Sequence, residues 1–434
     1  MSTQAIVRLW GTDVGYLNLE ENQEIADFEY DRDFLRSGIE IAPLSLPLAS
    51  RVYRFPELPF GSFHGLPGLL ADSLPDKFGN AIIDIWLATM GRKPETFNAV
   101  ERLCYIGTRG MGALEFKPAK PLGRPSKTQI HVGRLVELAS EILSHRSSLS
   151  TVFADRKKDQ AVREILRVGT SAGGARAKAL IAWNPQTNEV RSGQVTADPG
   201  YEYWLMKFDG VKSNRDKELA DPEGFGAIEY AYYSMAKDAG ISMTPCRLFE
   251  ENGRRHFMTK RFDRTDKGAK LHMQSLAALA HFDFNMAGAY GYEQAIMAIQ
   301  ELKLGPDAIE QQFRRMVFNI VARNQDDHVK NIAFLMDRQG HWSLSPAFDV
   351  TYSYNPAGDW TSAHQMTLNQ KRDNFAMRDF ESCGQLARLK QGEAKSMLTD
   401  IQTVVSKWRD YADEAGVRPD QRDEIHGNLR LDSF

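Results

Sequence analysis

Arg323-Asn324-Gln325-Asp326-Asp327-His328-Val329-Lys330-Asn331 is the stretch on which the fold turns. It follows a helical pattern in which Ile309, Phe313, Met316, Val317, Ile320 and Val321 share one face. It precedes an apolar run, residues 332–336. Asp326 and Asn331 stand five apart. Phosphoryl transfer needs a carboxylate to hold the attacking hydroxyl and accept its proton. It also needs a nearby amide oxygen that binds Mg²⁺ without adding excess charge. One Asp-x₄-Asn loop meets both needs. Alone, the spacing is weak, because a solvated loop with a helix-capping Asn has the same letters.

Reading towards the C-terminus strengthens it. Ser345-Pro346-Ala347-Phe348-Asp349 ends 18 residues after Asn331. Residues 332–336 and 342–344 around Gln339-Gly340 predict a hairpin, which would return Asp349 to the neighbourhood of Asn331. An Asp behind an aromatic residue at a strand end suits a metal-binding carboxylate. The alternative is an Asp that caps the next turn.

Reading towards the N-terminus, Gly169-Thr170-Ser171-Ala172-Gly173-Gly174-Ala175-Arg176-Ala177-Lys178 joins β-like segments. Backbone amides in so small-residue-rich a loop can approach phosphate closely, although it matches neither GxxxxGK[ST] nor GxGxxG. By itself an ordinary hairpin loop explains it as well. Lys207 lies in Tyr203-Trp204-Leu205-Met206-Lys207-Phe208, a strand with apolar residues on both faces. A buried lysine needs a partner, and Glu229 on the next helical pattern is the candidate. A strand lysine paired to a helix glutamate is how protein kinases hold the α- and β-phosphates. An edge-strand lysine is the bland alternative. Cys246 to Glu250 and His256 to Lys260 flank Asn252-Gly253, a hairpin signal. Arg261-Phe262-Asp263-Arg264 follows, where a hinge between lobes belongs. Glycine-rich loop, strand lysine, helix glutamate, hairpin, Asp-x₄-Asn and final Asp thus occur in kinase order. His328 either touches the nucleotide or orients Asp326.

These patterns predict an α+β protein-kinase-like, two-lobed fold, with an antiparallel-sheet N-lobe and an all-helical C-lobe behind an N-terminal α/β subdomain. The boundaries expected are 1–125, 126–262 and 263–434. Residues 117–127, rich in Pro and basic side chains, read as a linker or an ordered surface loop.

Composition agrees. The 434 residues carry 54 Lys plus Arg against 57 Asp plus Glu, a formal charge of −3. That excludes a histone-like polybasic protein and an acidic solvating chain. Hydrophobic residues make up 42% and charged residues 26%, as in ordinary globular domains. Three scattered cysteines without a CxxC argue against a disulfide framework or a structural zinc site, and for a reducing compartment. No signal-peptide pattern opens the chain, and no apolar run approaches the roughly 20 residues that span a bilayer. A cytoplasmic protein is expected.

The sequence resembles the HipA toxin family, the serine/threonine kinases of bacterial type II toxin–antitoxin modules. Pro43-Leu44-Ser45-Leu46-Pro47-Leu48 is similar to the family's PLSLPL stretch. Leu69-Leu70-Ala71-Asp72-Ser73-Leu74-Pro75-Asp76 is similar to its LLxDxLPD region. Gly107-Thr108-Arg109-Gly110-Met111-Gly112-Ala113 resembles its GRDxxGA turn, with the second and third positions changed. The kinase-core segments 261–264, 326–331 and 348–349 complete a resemblance that covers nearly the whole chain.

The resemblance implies roles. Asp326 would be the catalytic base. Asn331 and Asp349 would bind Mg²⁺. Lys207 would contact ATP phosphate, and Gly173, Gly174, Ala175, Arg176, Ala177 and Lys178 would line the nucleotide site. Lys260 and Phe262 would hold adenine through hinge backbone groups. Arg261, His328, Lys330 and Phe348 complete the nucleotide-contacting set. Ser171 matches the family's autophosphorylated loop serine, with Thr170 beside it. The implied partners are a HipB-like helix-turn-helix antitoxin, operator DNA through that complex, and a protein substrate, expected to be an aminoacyl-tRNA synthetase. Asp327 departs from the glycine of the best-known members, and Arg176 and Ala177 from polar loop residues. Two other readings stay open: a catalytically silent co-repressor partner, and a small-molecule kinase. The polar tract Asn369-Gln370-Lys371-Arg372-Asp373-Asn374 either docks a phosphate, substrate or DNA, or is a solvated loop.

Overall fold

A computed structural model of the chain describes residues 2–118, 129–144, 176–194, 197–211, 223–265 and 267–434. Two compact units emerge. The first comprises Met1–Glu223, Phe249–Gln274 and Met336–His341; the second comprises Gly224–Leu248, Ser275–Leu335 and Trp342–Phe434.

The first unit holds two five-stranded antiparallel sheets, apart from residues 246–248 at the start of one strand. Strands β1 (Thr3–Leu9), β2 (Thr12–Leu19), β3 (Asp27–Tyr30), β4 (Val52–Tyr53) and β5 (Leu114–Lys117) form the first, in the order β4-β3-β2-β1-β5. Alternation directs Val7, Leu9, Leu17, Phe28 and Phe116 inward. Strands β6 (Lys178–Trp183), β7 (Val190–Ser192), β8 (Glu202–Lys207), β9 (Cys246–Glu251) and β10 (Arg254–Lys260) form the second, in the order β7-β6-β8-β10-β9. Every residue of β6 is buried, Lys178 included. The β9–β10 turn places Asn252 and Gly253 at φ 50° and 75°, as a two-residue type I′ hairpin requires.

One core serves both halves of this unit. Ile82 and Ile85 of the helix Lys77–Thr89, and Leu135 and Val136 of the helix Val132–Ser144, pack with Ala179, Ile181, Met206 and Met258 of the second sheet. The turn 107–113 is tied in by charge. Asp263 accepts from the Gly112 amide at 2.7 Å and from Arg261 and Arg264.

The second unit is mainly helical: Phe225–Asp238, Tyr292–Glu301, Pro306–Val321, Met377–Leu386, Glu393–Val405, Trp408–Glu414 and Pro419–Asn428. Phe313, Met316, Val317 and Ile320 are buried, as their shared face predicts. Tyr232 packs edge-on against Phe318 and Trp408, and its hydroxyl donates to the Ala322 carbonyl at 2.6 Å. A short strand, β11 (His272–Ser275), follows β10 in the chain, and the expected hairpin forms from β12 (Ala333–Met336) and β13 (Trp342–Leu344), so this region is not purely helical. Among the described residues, no helix is long and apolar enough to cross a membrane.

Candidate phosphoryl-transfer site

The Asp-x₄-Asn loop is launched by a helix end with defined geometry. Pro306–Val321 stops at Ala322, Arg323 turns left-handed (φ 56°), and the Asn324 amide donates to the Asn319 carbonyl at 2.9 Å. That six-residue closure reverses the chain. The short helix Val329–Asn331 follows, and then β12.

Within the loop, Asn331 Nδ2 donates to the Asp326 carbonyl at 2.8 Å. The amide nitrogen is thereby occupied, which leaves Oδ1, the atom a hard cation would take, on the other side of the group. Asp326 is partly exposed. Its Oδ1 accepts from Trp360 Nε1 at 2.7 Å and lies 3.8 Å from His328 Nε2. Asn331, His328, Phe348 and Asp349 all border one cavity of about 30 Å³. The hairpin therefore brings Asp349 back to Asn331. Asp349 sits at φ 53°, a left-handed conformation that Asp tolerates better than most residues and that recurs at functional sites. Lys330 Nζ lies 4.3 Å over the Phe284 ring.

Asp327 contributes differently. It is fully buried and accepts from Tyr292 Oη (2.6 Å), His364 Nδ1 (2.7 Å) and the Gln365 amide (2.7 Å). Burial alone would raise its pKa, but His364 and these donors hold it below the usual carboxylate value. The departure from glycine is thus an anchor for the loop. Arg315, buried beside the cavity, donates to the Ser345 carbonyl at 2.7 Å, and burial lowers its pKa to about 10. No local pattern pointed to Trp360, Tyr292, His364 or Arg315, whose partners here lie 30 to 37 residues away in the chain.

The tract 369–374 resolves into a tight turn. Asn369 and Gln370 are both left-handed, at φ 49° and 64°. Asn369 Nδ2 and Lys371 Nζ each reach Asp379 at 2.7 Å. Those polar groups stabilise their own turn and the start of the helix Met377–Leu386.

The other sequence candidates fall in the first unit, except Glu229, which is buried on the helix Phe225–Asp238 of the second. Lys178 and Lys207 are buried and directly opposed across β6 and β8. Like charges so placed repel unless anions accompany them. Lys178 Nζ lies 3.9 Å from Asp76 Oδ2, and Lys207 Nζ lies 5.7 Å from the Phe257 ring centroid. Lys260 pairs with Glu202 at 3.3 Å. The Arg261 guanidinium is committed to Asp263, with Phe262 part-buried between them in sequence. Arg176 and Ala177 lead into β6. Ser171, Gly173, Gly174 and Ala175 lie outside the described residues.

Comparison with known proteins settles the family. A model of the HipA-like C-terminal domain matches residues 170–408, and one of the HipA N-terminal domain matches residues 5–117. The chain belongs to the HipA family. Among solved structures it is similar to the Shewanella oneidensis MR-1 toxin–antitoxin complex of HipA, HipB and operator DNA, with 15% identity, 98% of this chain and 95% of that chain covered, and a TM-score of 0.66. That likeness bears out the α+β, kinase-like HipA fold expected from the sequence. A more distant structure is the Helicobacter pylori proinflammatory kinase CtkA, with 11% identity, 53% of this chain and 86% of that chain covered, and a TM-score of 0.31. No curated protein sequence matches.

Proposed function

We propose that this HipA-family protein is a toxin that acts as an ATP- and Mg²⁺-dependent serine/threonine protein kinase. One observation carries the reading: the Asn331 amide is held on the Asp326 carbonyl while Asn331 and Asp349 face one cavity. A base and two oxygen ligands for a hard cation are then neighbours. Among the described residues no group of three or more His, Cys, Asp or Glu side chains could hold a metal. The donor set of one carboxylate and one amide instead suits Mg²⁺, which keeps waters and takes phosphate oxygens as its remaining ligands.

Asp326 orients the attacking hydroxyl and takes its proton on Oδ2, while Trp360 holds Oδ1. Asn331 and Asp349 hold the cation, which supplies neutralisation of the charge that develops on the transferred phosphoryl group. Lys178 and Lys207, opposed on their strands, receive the nucleotide's phosphates, with residues 173–178 as their loop. Lys260, Arg261 and Phe262 form the hinge, Glu229 supports Lys207, and His328, Lys330 and Phe348 border the nucleotide. Ser171 is the site of autophosphorylation. The target is a cellular protein, an aminoacyl-tRNA synthetase being the class expected. A HipB-like antitoxin neutralises the toxin, and DNA is met through that complex in the cytoplasm. The net charge of −3 fits a protein that reaches DNA through a partner. Segments 1–125, 126–262 and 263–434 are the proposed N-terminal subdomain, N-lobe and C-lobe.

Intact-mass measurement after incubation with ATP and Mg²⁺ tests this. The wild-type chain is expected to gain phosphate, Ser171→Ala to gain none on itself, and Asp326→Gln to transfer none at all. Full incorporation into Asp326→Gln refutes the base assignment. No transfer by the wild-type chain, to itself or to any synthetase, favours a silent co-repressor.

A further inference from the structure

The segment after the last helix is threaded into the second unit by one side chain. Arg430 is buried, and its own amide donates to the Val321 carbonyl at 3.0 Å. Its Nη1 donates to the Ile320 carbonyl at 2.9 Å and to His364 Nε2 at 2.8 Å; its Nη2 pairs with Asp373. Both carbonyls belong to the helix turn that launches the Asp-x₄-Asn loop.

The protonation pattern follows from these contacts. A guanidinium only donates, so His364 Nε2 must accept. The proton of the neutral ring then sits on Nδ1 and is donated to Asp327 at 2.7 Å. A buried cation and a buried anion are thus joined through a neutral imidazole. His364, Asp327 and Tyr292 are all almost fully buried. On the far side, Tyr292 donates to Asp327 and accepts from Asn319 Nδ2 at 3.0 Å, and Asn319 Oδ1 accepts from Asn324 Nδ2 at 2.9 Å. Arg323 Nε, meanwhile, donates to the Asn428 carbonyl at 2.8 Å. Asn324 before Asp326 and Asp327 after it are therefore held by one connected network. Asp326 accepts from Trp360 and is continuous in backbone with Asp327, so whatever holds Asp327 also sets the position of Asp326.

We propose that Arg430 and His364 are positioning residues for the phosphoryl-transfer loop: a relay from Arg430 through neutral His364 to Asp327 holds Asp326 and Asn331 in register. The proposal rests on the kinase reading for its catalytic consequence, but the lock itself is separately measurable. Neither residue touches the reacting groups. Each acts by fixing Asp327, whose backbone is continuous with Asp326. The relay needs a group that donates on one side and accepts on the other. Glutamine can supply both, as neutral histidine does, whereas leucine supplies neither.

The test compares Arg430→Met, His364→Leu and His364→Gln with the wild-type full chain by hydrogen exchange and by steady-state phosphoryl transfer. In Arg430→Met and His364→Leu, the amides of residues 324–331 are expected to exchange at least about tenfold faster, while those of Glu393–Val405 are unchanged. The same variants are expected to lose about 10- to 100-fold in kcat with the KM for ATP within about threefold, as loss of positioning predicts. His364→Gln is expected to restore both readouts to within about threefold of wild type. Wild-type protection and kcat in Arg430→Met overturn the proposal, and so does a His364→Gln variant as impaired as His364→Leu. Should Arg430→Met fail to fold, the His364 pair decides alone. If the wild-type chain transfers no phosphate, the kinase reading fails while the exchange data still judge the lock.

Discussion

Asp263→Ala is expected to be among the most damaging single changes in the first unit. The carboxylate accepts from Arg261 Nε at 2.9 Å, Arg261 Nη2 at 2.7 Å, Arg264 Nη1 at 2.6 Å and the Gly112 amide at 2.7 Å. The side chains of Arg261, Arg264 and Asp263 are 0%, 7% and 0% exposed. Alanine strands two guanidiniums away from water, and removing one partner of a buried ion pair costs about 3–5 kcal/mol. The pKa offers a second route. Burial would raise it, but Arg261 and Arg264 bring it down from 3.8 to about 2. That shift corresponds to about 2 kcal/mol of stability. The folded pKa is depressed, so this contribution is complete above pH about 4 and fades as pH falls towards about 2. The larger figure includes the orphaned arginines, and the smaller one does not. Urea unfolding, followed by the fluorescence of Trp183 and Trp204, measures both at pH 7 and pH 3. The loss at pH 7 is expected to be about 3 kcal/mol or more, and smaller at pH 3. A variant within about 0.5 kcal/mol of wild type at pH 7 refutes the argument.

Trp360→Phe keeps an aromatic ring and removes the donor to Asp326 Oδ1. A hydrogen bond to a charged group is worth about 1.5–3 kcal/mol, so kcat is expected to fall about tenfold or more, and an unchanged kcat in steady-state assays contradicts the role given to Trp360. His256 and His272 are both pushed down to about 4 by burial, so the stability they contribute is complete above pH about 6.5 and is lost as pH falls from there towards 4. Thermal melts should show His256→Gln flattening that acid limb, and an unaltered pH profile would count against it. Lys178→Met removes one of two opposed buried ammonium groups, so calorimetry with a non-hydrolysable ATP analogue is expected to show affinity at least about tenfold weaker. Wild-type affinity would exclude Lys178 from phosphate binding.

Local patterns were readable wherever the chain solves a local problem. The Asn252-Gly253 turn, the 332–344 hairpin and the buried face of Pro306–Val321 depend on residues within a few positions of one another. Lys207 was legible as unusual because it interrupts an apolar strand, whereas Lys178 was read only as the end of the small-residue loop. Asp327 was legible only as a departure, since nothing beside it in sequence announces three donors. Arg261 illustrates the opposite limit: a hinge position suggested a nucleotide contact, yet its guanidinium is committed to Asp263. The tract 369–374 allowed two readings by letter, and backbone handedness made it a self-supporting turn.

By itself the sequence determined the helix before the Asp-x₄-Asn loop, the two hairpins and the spacing of Asp326, Asn331 and Asp349, because periodicity, turn chemistry and helix ends act over a few residues. The tertiary structure alone decided which polar groups are held and by what. Asp326 meets Trp360, Asp327 meets Tyr292 and His364, and Arg430 closes on His364 across 66 residues of chain. Such pairs leave no period to read. They exist because a buried donor or acceptor left without a partner is costly, and folding chooses the partner by proximity in space.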